Sequence, residues 1–207
     1  MFRRLKRFLL SHRDDIDLDM VKSRLSPVQI RLYAAEDFAA CRELYVLNEP
    51  SRFPPDVLQD FERSLQMDNS LTLVMVKDGL ICGCGGVGIR QESVASVGWL
   101  SFGLIHPNYQ AQGLGTTMLL ARLSLLPDHV RYVALAPVPA SRSFYERFNF
   151  RECLRHTLPN GVEFNVLRAR FPPGQGLHCA NLLSHAGVVL SVGSFELPVT
   201  VVDIPTN

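Results

Sequence analysis

The chain has 207 residues, 47% hydrophobic and 20% charged, enough for one well-buried core with short extensions. Its formal net charge of +1 lacks the basic excess that nucleic-acid binding uses, so no nucleic-acid partner is expected. No stretch reaches the roughly 18 uninterrupted apolar residues of a membrane span; residues 187–204 come nearest and are broken by Ser191, Ser194, Glu196 and Pro198. The five cysteines, an odd number without framework spacing, fit a reducing compartment, and together these features predict a soluble cytoplasmic protein.

Residues 1–13 carry Arg3, Arg4, Lys6, Arg7 and Arg13 among Phe2, Leu5, Phe8, Leu9 and Leu10. Such a segment suits a membrane surface or a transit peptide, but its shortness favours a tail or helix capping the domain. Asp14-Asp15 followed by Ile16, Met20 and Val21 predicts a short helix ended by Ser26-Pro27. Residues 28–33 alternate as a strand does, and 34–47 has helical spacing with Phe38, Cys41, Leu44 and Tyr45 on one side. Pro50, Pro54 and Pro55 punctuate a turn before a second helix over 56–67.

Strands over 71–76, 80–90 and 93–105, joined by Lys77-Asp78-Gly79 and by Gln91-Glu92, predict an antiparallel meander. Cys82 and Cys84, two apart on a strand, are expected to face the same way as small buried hydrophobes. A helix over 113–126 ends at Pro127; a strand over 131–136 and a helix over 140–148 follow. Asn149 fits a left-handed cap, and strands over 150–158 and 162–170 flank Pro159-Asn160-Gly161. The order is mixed α/β, with an extension at 1–27, one domain at 28–171 and a strand-like extension at 172–207. Pro172 to Gly176 reads as a linker, with strand-like pieces at 188–192 and 197–202 that can pack on the sheet, border the site or pair in a homodimer. His178, Cys179 and His185 lack a fourth partner at ligand spacing, so no metal site is assigned.

Two glycine-rich stretches compete as a phosphate site. Gly83-Cys84-Gly85-Gly86-Val87-Gly88 matches the dinucleotide GxGxxG pattern, but no amphipathic helix follows it and no acid occurs from 93 to 127. Glycines in a strand that bends, or lies close to another backbone, are the better reading. The second stretch, Gln110-Ala111-Gln112-Gly113-Leu114-Gly115-Thr116, follows a strand ending Leu104-Ile105-His106-Pro107 and opens a helix. Such glycines let backbone N–H groups approach an anion, which the helix N-terminus also favours. Arg122 is the only formal charge from 93 to 127, and without a Gly-Lys-Ser/Thr ending the loop does not suit nucleotide hydrolysis.

Over about residues 30–170 the chain resembles the GNAT superfamily of acyl-coenzyme A N-acyltransferases. Gln110-Ala111-Gln112-Gly113-Leu114-Gly115 matches that family's Gln/Arg-x-x-Gly-x-Gly/Ala loop, and Phe144-Tyr145-Glu146-Arg147-Phe148-Asn149-Phe150 resembles its Phe-Tyr-x-x-x-Gly-Phe helix ending. Two motifs in order, about 30 residues apart with the right elements between, carry the resemblance. Asn149 replaces the family's glycine, which a left-handed cap tolerates, and Val138 stands near the place of a frequent asparagine.

The resemblance implies a mostly antiparallel mixed sheet flanked by helices, with a splayed strand pair where pantetheine lies. It implies acetyl-coenzyme A as cosubstrate, held by Gly103, Leu104, Ile105 and by Gln110, Ala111, Gln112, Gly113, Leu114, Gly115 and Thr116. A backbone N–H within 103–105 would face the thioester oxygen. Tyr145 is the candidate general acid for the departing thiolate, against a reading in which it packs beside Phe144 and Phe148. The general base stays open among Ser101 relaying through water, Glu92, Glu163, His156 and a plain water path; His106, fixed before Pro107, receives no role.

The implied acceptor is a primary amine, of a small molecule or a protein. Acids between 36 and 68 (Glu36, Asp37, Glu43, Glu49, Asp56, Asp60, Glu62 and Asp68) read equally as a rim attracting a cation and as solvated helix faces. Phe53 and Trp99 offer an apolar wall, with core packing the simpler use of Trp99. The absence of a base on the central strand, with Val138, leaves a coenzyme A binding or sensing module as the alternative.

Overall fold

The computed structural model of the chain describes residues 15–18, 21, 25–48, 57–66, 71–92, 95–157 and 163–201. Residues 1–13, Phe53 and the 159–161 turn lie outside them. In chain order come β1 (Gln29–Leu32), α1 (Phe38–Asn48), α2 (Val57–Gln66), β2 (Leu71–Lys77), β3 (Leu80–Gln91) and β4 (Ser96–Ile105). Then follow α3 (Leu114–Ser124), β5 (Tyr132–Leu135), α4 (Arg142–Glu146), β6 (Arg151–Thr157), β7 (Glu163–Arg170), α5 (Gln175–His185), β8 (Val189–Ser191) and β9 (Val199–Val201).

One sheet runs β6-β7-β5-β4-β3-β2-β1-β8, and β9 pairs with β3. The meander β2 to β4 is antiparallel, as its short turns require, and β1 joins β2 antiparallel across the two-helix connection, while β4–β5, β1–β8 and β3–β9 are parallel. Asp78 and Gly79 both take positive φ (53° and 77°), the geometry that joins β2 to β3 without splaying them. The fold is therefore a mixed α/β, mostly antiparallel sheet flanked by helices, as expected.

Period-two alternation sends strand side chains to two cores. Leu73 and Met75 of β2 join the larger, with Met118 and Leu119 of α3 and Cys179 and Leu183 of α5; Val74 joins the smaller, with Leu44 and Tyr45 of α1 and Phe61 of α2. The expectation for Cys82 and Cys84 is corrected here: a bulge opposite Met75/Val76 inserts one residue, so Cys82 enters the larger core and Cys84 the smaller. Cys84, hydrogen-bonded to Cys41 and buried, is held well above the usual thiol range, and burial pushes Cys179 up to about 12. Both are inert thiols at neutral pH.

Two further expectations change. Asp15 forms a parallel bridge with Arg170, and the Ile16 N–H donates to the Arg170 carbonyl at 2.9 Å, so 15–18 is extended rather than helical. The tail also carries α5, which the linker reading of Pro172 to Gly176 does not contain. This helix begins at Gly174 (φ 82°) and packs on α3, where Gly176 sits so close that a Cβ would lie 2.8 Å from the Leu126 carbonyl oxygen. It explains why α3 is buried on every side from Thr116 to Leu123: the sheet covers one face and α5 covers another.

Candidate active site

β4 and β5 pair only from Val97↔Tyr132 to Leu100↔Leu135, then separate. Beyond Leu100, β4 is paired among the described residues with β3 alone, and a second bulge puts Phe102 and Gly103 opposite Gly85, with Phe102 at φ 44°. The His106 N–H donates to the Cys82 carbonyl at 2.9 Å, on the β3 side. Alternation therefore turns the N–H of Ile105 to the opposite edge, into the gap that β5 has left.

A cavity of about 300 Å³ occupies that gap. Gly103, Leu104 and Ile105 form one wall; Gln110, Ala111, Gly113, Gly115 and Thr116 form another. Tyr145, 8% exposed, reaches it from α4 with Phe144, beside Val138, Ala140 and Ser141. Two of the residues named from sequence lie off the lining. Leu114 is buried in the core, and Gln112 turns outward, its side chain donating to the Asn108 carbonyl at 3.0 Å.

The loop geometry follows from two left-handed residues, Ala111 (φ 60°) and Gly113 (φ 82°), which cap the start of α3. The Gln110 N–H goes to Pro107 and the Thr117 N–H to Gly113. Between them, the N–H groups of 111–116 make no hydrogen bond among the described residues. Six unspent amides at the positive end of an eleven-residue helix fit a pyrophosphate.

Gln110 has a structural task that its sequence position did not reveal. Its Nε2 donates to the Ile105 carbonyl (3.0 Å) and to Asn48 Oδ1 (3.1 Å), while Asn48 Nδ2 donates to Leu44 and Ile105 carbonyls. Asn48, buried at the end of α1 and lining the cavity, was not singled out from the sequence.

Arg122 is the other residue missed. It is 2% exposed and lines the same cavity. Glycines make its room: a Cβ at Gly85 would lie 3.1–3.3 Å from its Cδ, Nε and Cζ, and one at Gly103 3.0 Å from Nη2 and 3.3 Å from Nη1. That same point beside Gly103 is 3.3 Å from Tyr145 Oη. Gly83 is closed for a different reason, with Ile105 and the Leu104 carbonyl within 3.0 Å, so the GxGxxG match is a strand in close backbone contact.

The Asn149 cap adopts φ 65° and donates Nδ2 to the Asp15 carbonyl at 2.8 Å. It turns the chain from α4 into β6, and Arg142 ties these two elements by pairing with Glu146 and Glu152.

The base candidates fare unevenly. Both oxygens of Glu92 accept from Arg168 at 2.8 Å, and Glu92 precedes the start of β4. The ten residues of β4, roughly 30 Å end to end, separate it from the cradle end. The side chains of His156 and Glu163 lie outside the described residues.

Ser101 faces a second cavity of about 320 Å³, on the α2 side, with Asp60, Arg63, Trp99 and Phe102. Trp99 is not in either core; the Arg90 guanidinium sits 3.4 Å above its ring. Of the acids between 36 and 68, Asp37, Asp60 and Glu62 pair with Arg31, Arg63 and Arg42, which weakens the rim. Glu49, Asp56 and Asp68 lie outside the described residues.

The family model for GNAT acetyltransferases matches residues 38–150, more than half the chain. The chain belongs to the GNAT acetyltransferase family. Its fold is that of a GCN5-related N-acetyltransferase from Rhodopseudomonas palustris (17% identity, TM-score 0.56), matched over 70% of this chain and 97% of that one. The ribosomal-protein-S18-alanine N-acetyltransferase of Escherichia coli matches at 18% identity and TM-score 0.53, over 69% and 93%. An aminoglycoside 6'-N-acetyltransferase complexed with coenzyme A matches at 11% and 0.54, over 68% and 96%. No curated protein sequence matches the chain. In this GNAT protein the family match ends at Phe150, so β6, β7 and the tail lie beyond it. No helix among the described residues is long and apolar enough to cross a membrane.

Proposed function

We propose that this GNAT protein transfers the acetyl group of acetyl-coenzyme A to a primary amine, by direct attack in a ternary complex. The observation that carries the reading is the run of unspent amides at 111–116, opening onto a strand gap that ends at Tyr145. Bound acetyl-coenzyme A supplies an activated acetyl thioester. The 111–116 amides hold its pyrophosphate, and the N–H of Ile105, which has no partner among the described residues, donates to an amide carbonyl of pantetheine. A backbone N–H near the β4 bulge faces the thioester oxygen and stabilises charge building there. The Tyr145 hydroxyl donates a proton to the departing sulfur.

The second cavity, reached across β4 from the first, is the candidate acceptor side, with Ser101 on its wall. The two relatives above that are named for an acceptor act on amines, one on a protein and one on an aminoglycoside, and amine is the class carried over here.

Thermal stabilisation by coenzyme A and thiol release from acetyl-coenzyme A across an amine panel test the reading. Cofactor-dependent stabilisation with turnover on an amine supports it. Stabilisation without turnover on any amine replaces it with the sensing module, which Val138 and the lack of a carboxylate among the described lining residues favour.

A further inference from the structure

Among the described residues Arg122 is the one buried basic side chain, and no carboxylate pairs with it. Its Nε donates to the Met118 carbonyl at 3.3 Å and its Nη1 to the Ser101 carbonyl at 3.4 Å, both at the long end of the hydrogen-bond range. Nη2 donates to no described residue. A desolvated guanidinium held this weakly is costly, and an apolar residue would suit the neighbourhood of Met118, Leu119 and Leu123 better. Instead, two strands leave out their side chains at Gly85 and Gly103 to seat it. The cation is built in, and it lines a cavity whose other charged residue among those described, Arg147, is exposed.

The anion this suits is not the pyrophosphate. Arg122 lies six residues along α3 from Thr116, about 9 Å farther down the helix axis than the amide cradle. What it shares is a position with Tyr145, since both reach within 3.3 Å of one point beside Gly103. Resting on the reading above, we propose that Arg122 stabilises the coenzyme A thiolate as it forms, acting with Tyr145. In the step, the amine lone pair forms the C–N bond to the carbonyl carbon and the C–S bond breaks with its electrons on sulfur. The surplus proton on nitrogen leaves to water, the sulfur takes a proton from Tyr145, and Tyr145 recovers one from solvent. The guanidinium stays charged throughout and lowers the cost of the sulfur anion.

The test reads the thiol itself. Among the described residues, the titratable and charged groups on the cavity lining are Arg122, Tyr145 and Arg147, with no carboxylate among them. The ultraviolet thiolate absorbance of bound coenzyme A is followed against pH, with the S-methyl-coenzyme A complex subtracted to remove protein groups. In the wild type the bound thiol is expected to titrate about one unit or more below the free thiol. Arg122→Met is expected to abolish that lowering and to weaken coenzyme A about tenfold above the thiol's titration while leaving S-methyl-coenzyme A unchanged. Arg122→Lys is expected to retain part of it.

A wild-type thiol that titrates as free coenzyme A does overturns the proposal without any variant. So does an Arg122→Met protein that loses both ligands equally, which marks a structural role. Loss confined to carboxylate-bearing amines, with the thiol titration unchanged, also overturns it and assigns Arg122 to the acceptor. A wild type that binds coenzyme A but turns over no amine defeats the acetyltransferase reading while the titration still decides the role of Arg122.

Discussion

Gln110 and Asn48 meet over the last carbonyl of β4: Gln110 Nε2 and Asn48 Nδ2 both donate to Ile105, and the two side chains bond each other at 3.1 Å. Where β5 leaves, a carbonyl would otherwise lack a strand partner, and two amides from α1 and the loop supply one. The edge of the gap is thus tied to the helix before the meander. Asn48→Ala is expected to cost about 1–3 kcal/mol and to raise KM for acetyl-coenzyme A with a smaller change in kcat. Thermal melting and steady-state kinetics check both, and an unchanged Tm would remove the tie from the account.

Tyr145→Phe keeps the ring contacts with Phe144 and Phe150 and removes only the hydroxyl. Stability should hold within about 1 kcal/mol, while kcat drops by about 10² or more. A variant with full turnover would confine Tyr145 to packing.

Asp37 is buried and accepts from Arg31 at 2.6 and 2.9 Å and from the Ala34 N–H at 2.8 Å. The Arg31 hydrogen bond, above all, holds its carboxyl below the ordinary value of 3.8. Because the folded pKa is the lower one, the pair stabilises the protein fully above the unfolded value and loses that contribution as pH falls through the folded one. Asp37→Asn should lower Tm near neutral pH, corresponding to about 2 kcal/mol. It should also flatten the acid limb of a Tm-against-pH curve below 3.8 relative to wild type; parallel acid limbs would count against the pair.

Gly176→Ala forces a methyl group to 2.8 Å from the Leu126 carbonyl oxygen, a backbone atom that has little room to move. The expected cost is about 1–3 kcal/mol, read by denaturant unfolding. Unaltered stability would mean that α5 docks more loosely on α3 than its geometry implies.

Most of the architecture was legible because alternation and turn chemistry agree along the meander. Lys77-Asp78-Gly79 fixed a hairpin, and Gln110 to Thr116 stood between a strand and a helix. Other features were hidden by competing local signals. Pro172-Pro173-Gly174 masked the start of α5, whose reason to exist is the uncovered side of α3. A bulge is one extra residue, which the sequence around Cys82 does not announce. Arg122 did leave a trace: on α3 it follows Leu114 and Met118 at intervals of four, which is the inward phase. A lone arginine in an apolar helix invites a snorkelling reading, and only the glycines across two strands show that it goes in.

Arg122, Gly85 and Gly103 depend on one another for space. A larger residue at either glycine pushes against the guanidinium, and a short apolar residue at 122 leaves a void against two bare strands. The three positions should therefore show strong epistasis, with double and triple replacements milder than the sum of single ones. Libraries that vary one site at a time will report the two glycines as far less tolerant than they are, although for stability, if not for the thiolate, each accepts a side chain once residue 122 is short.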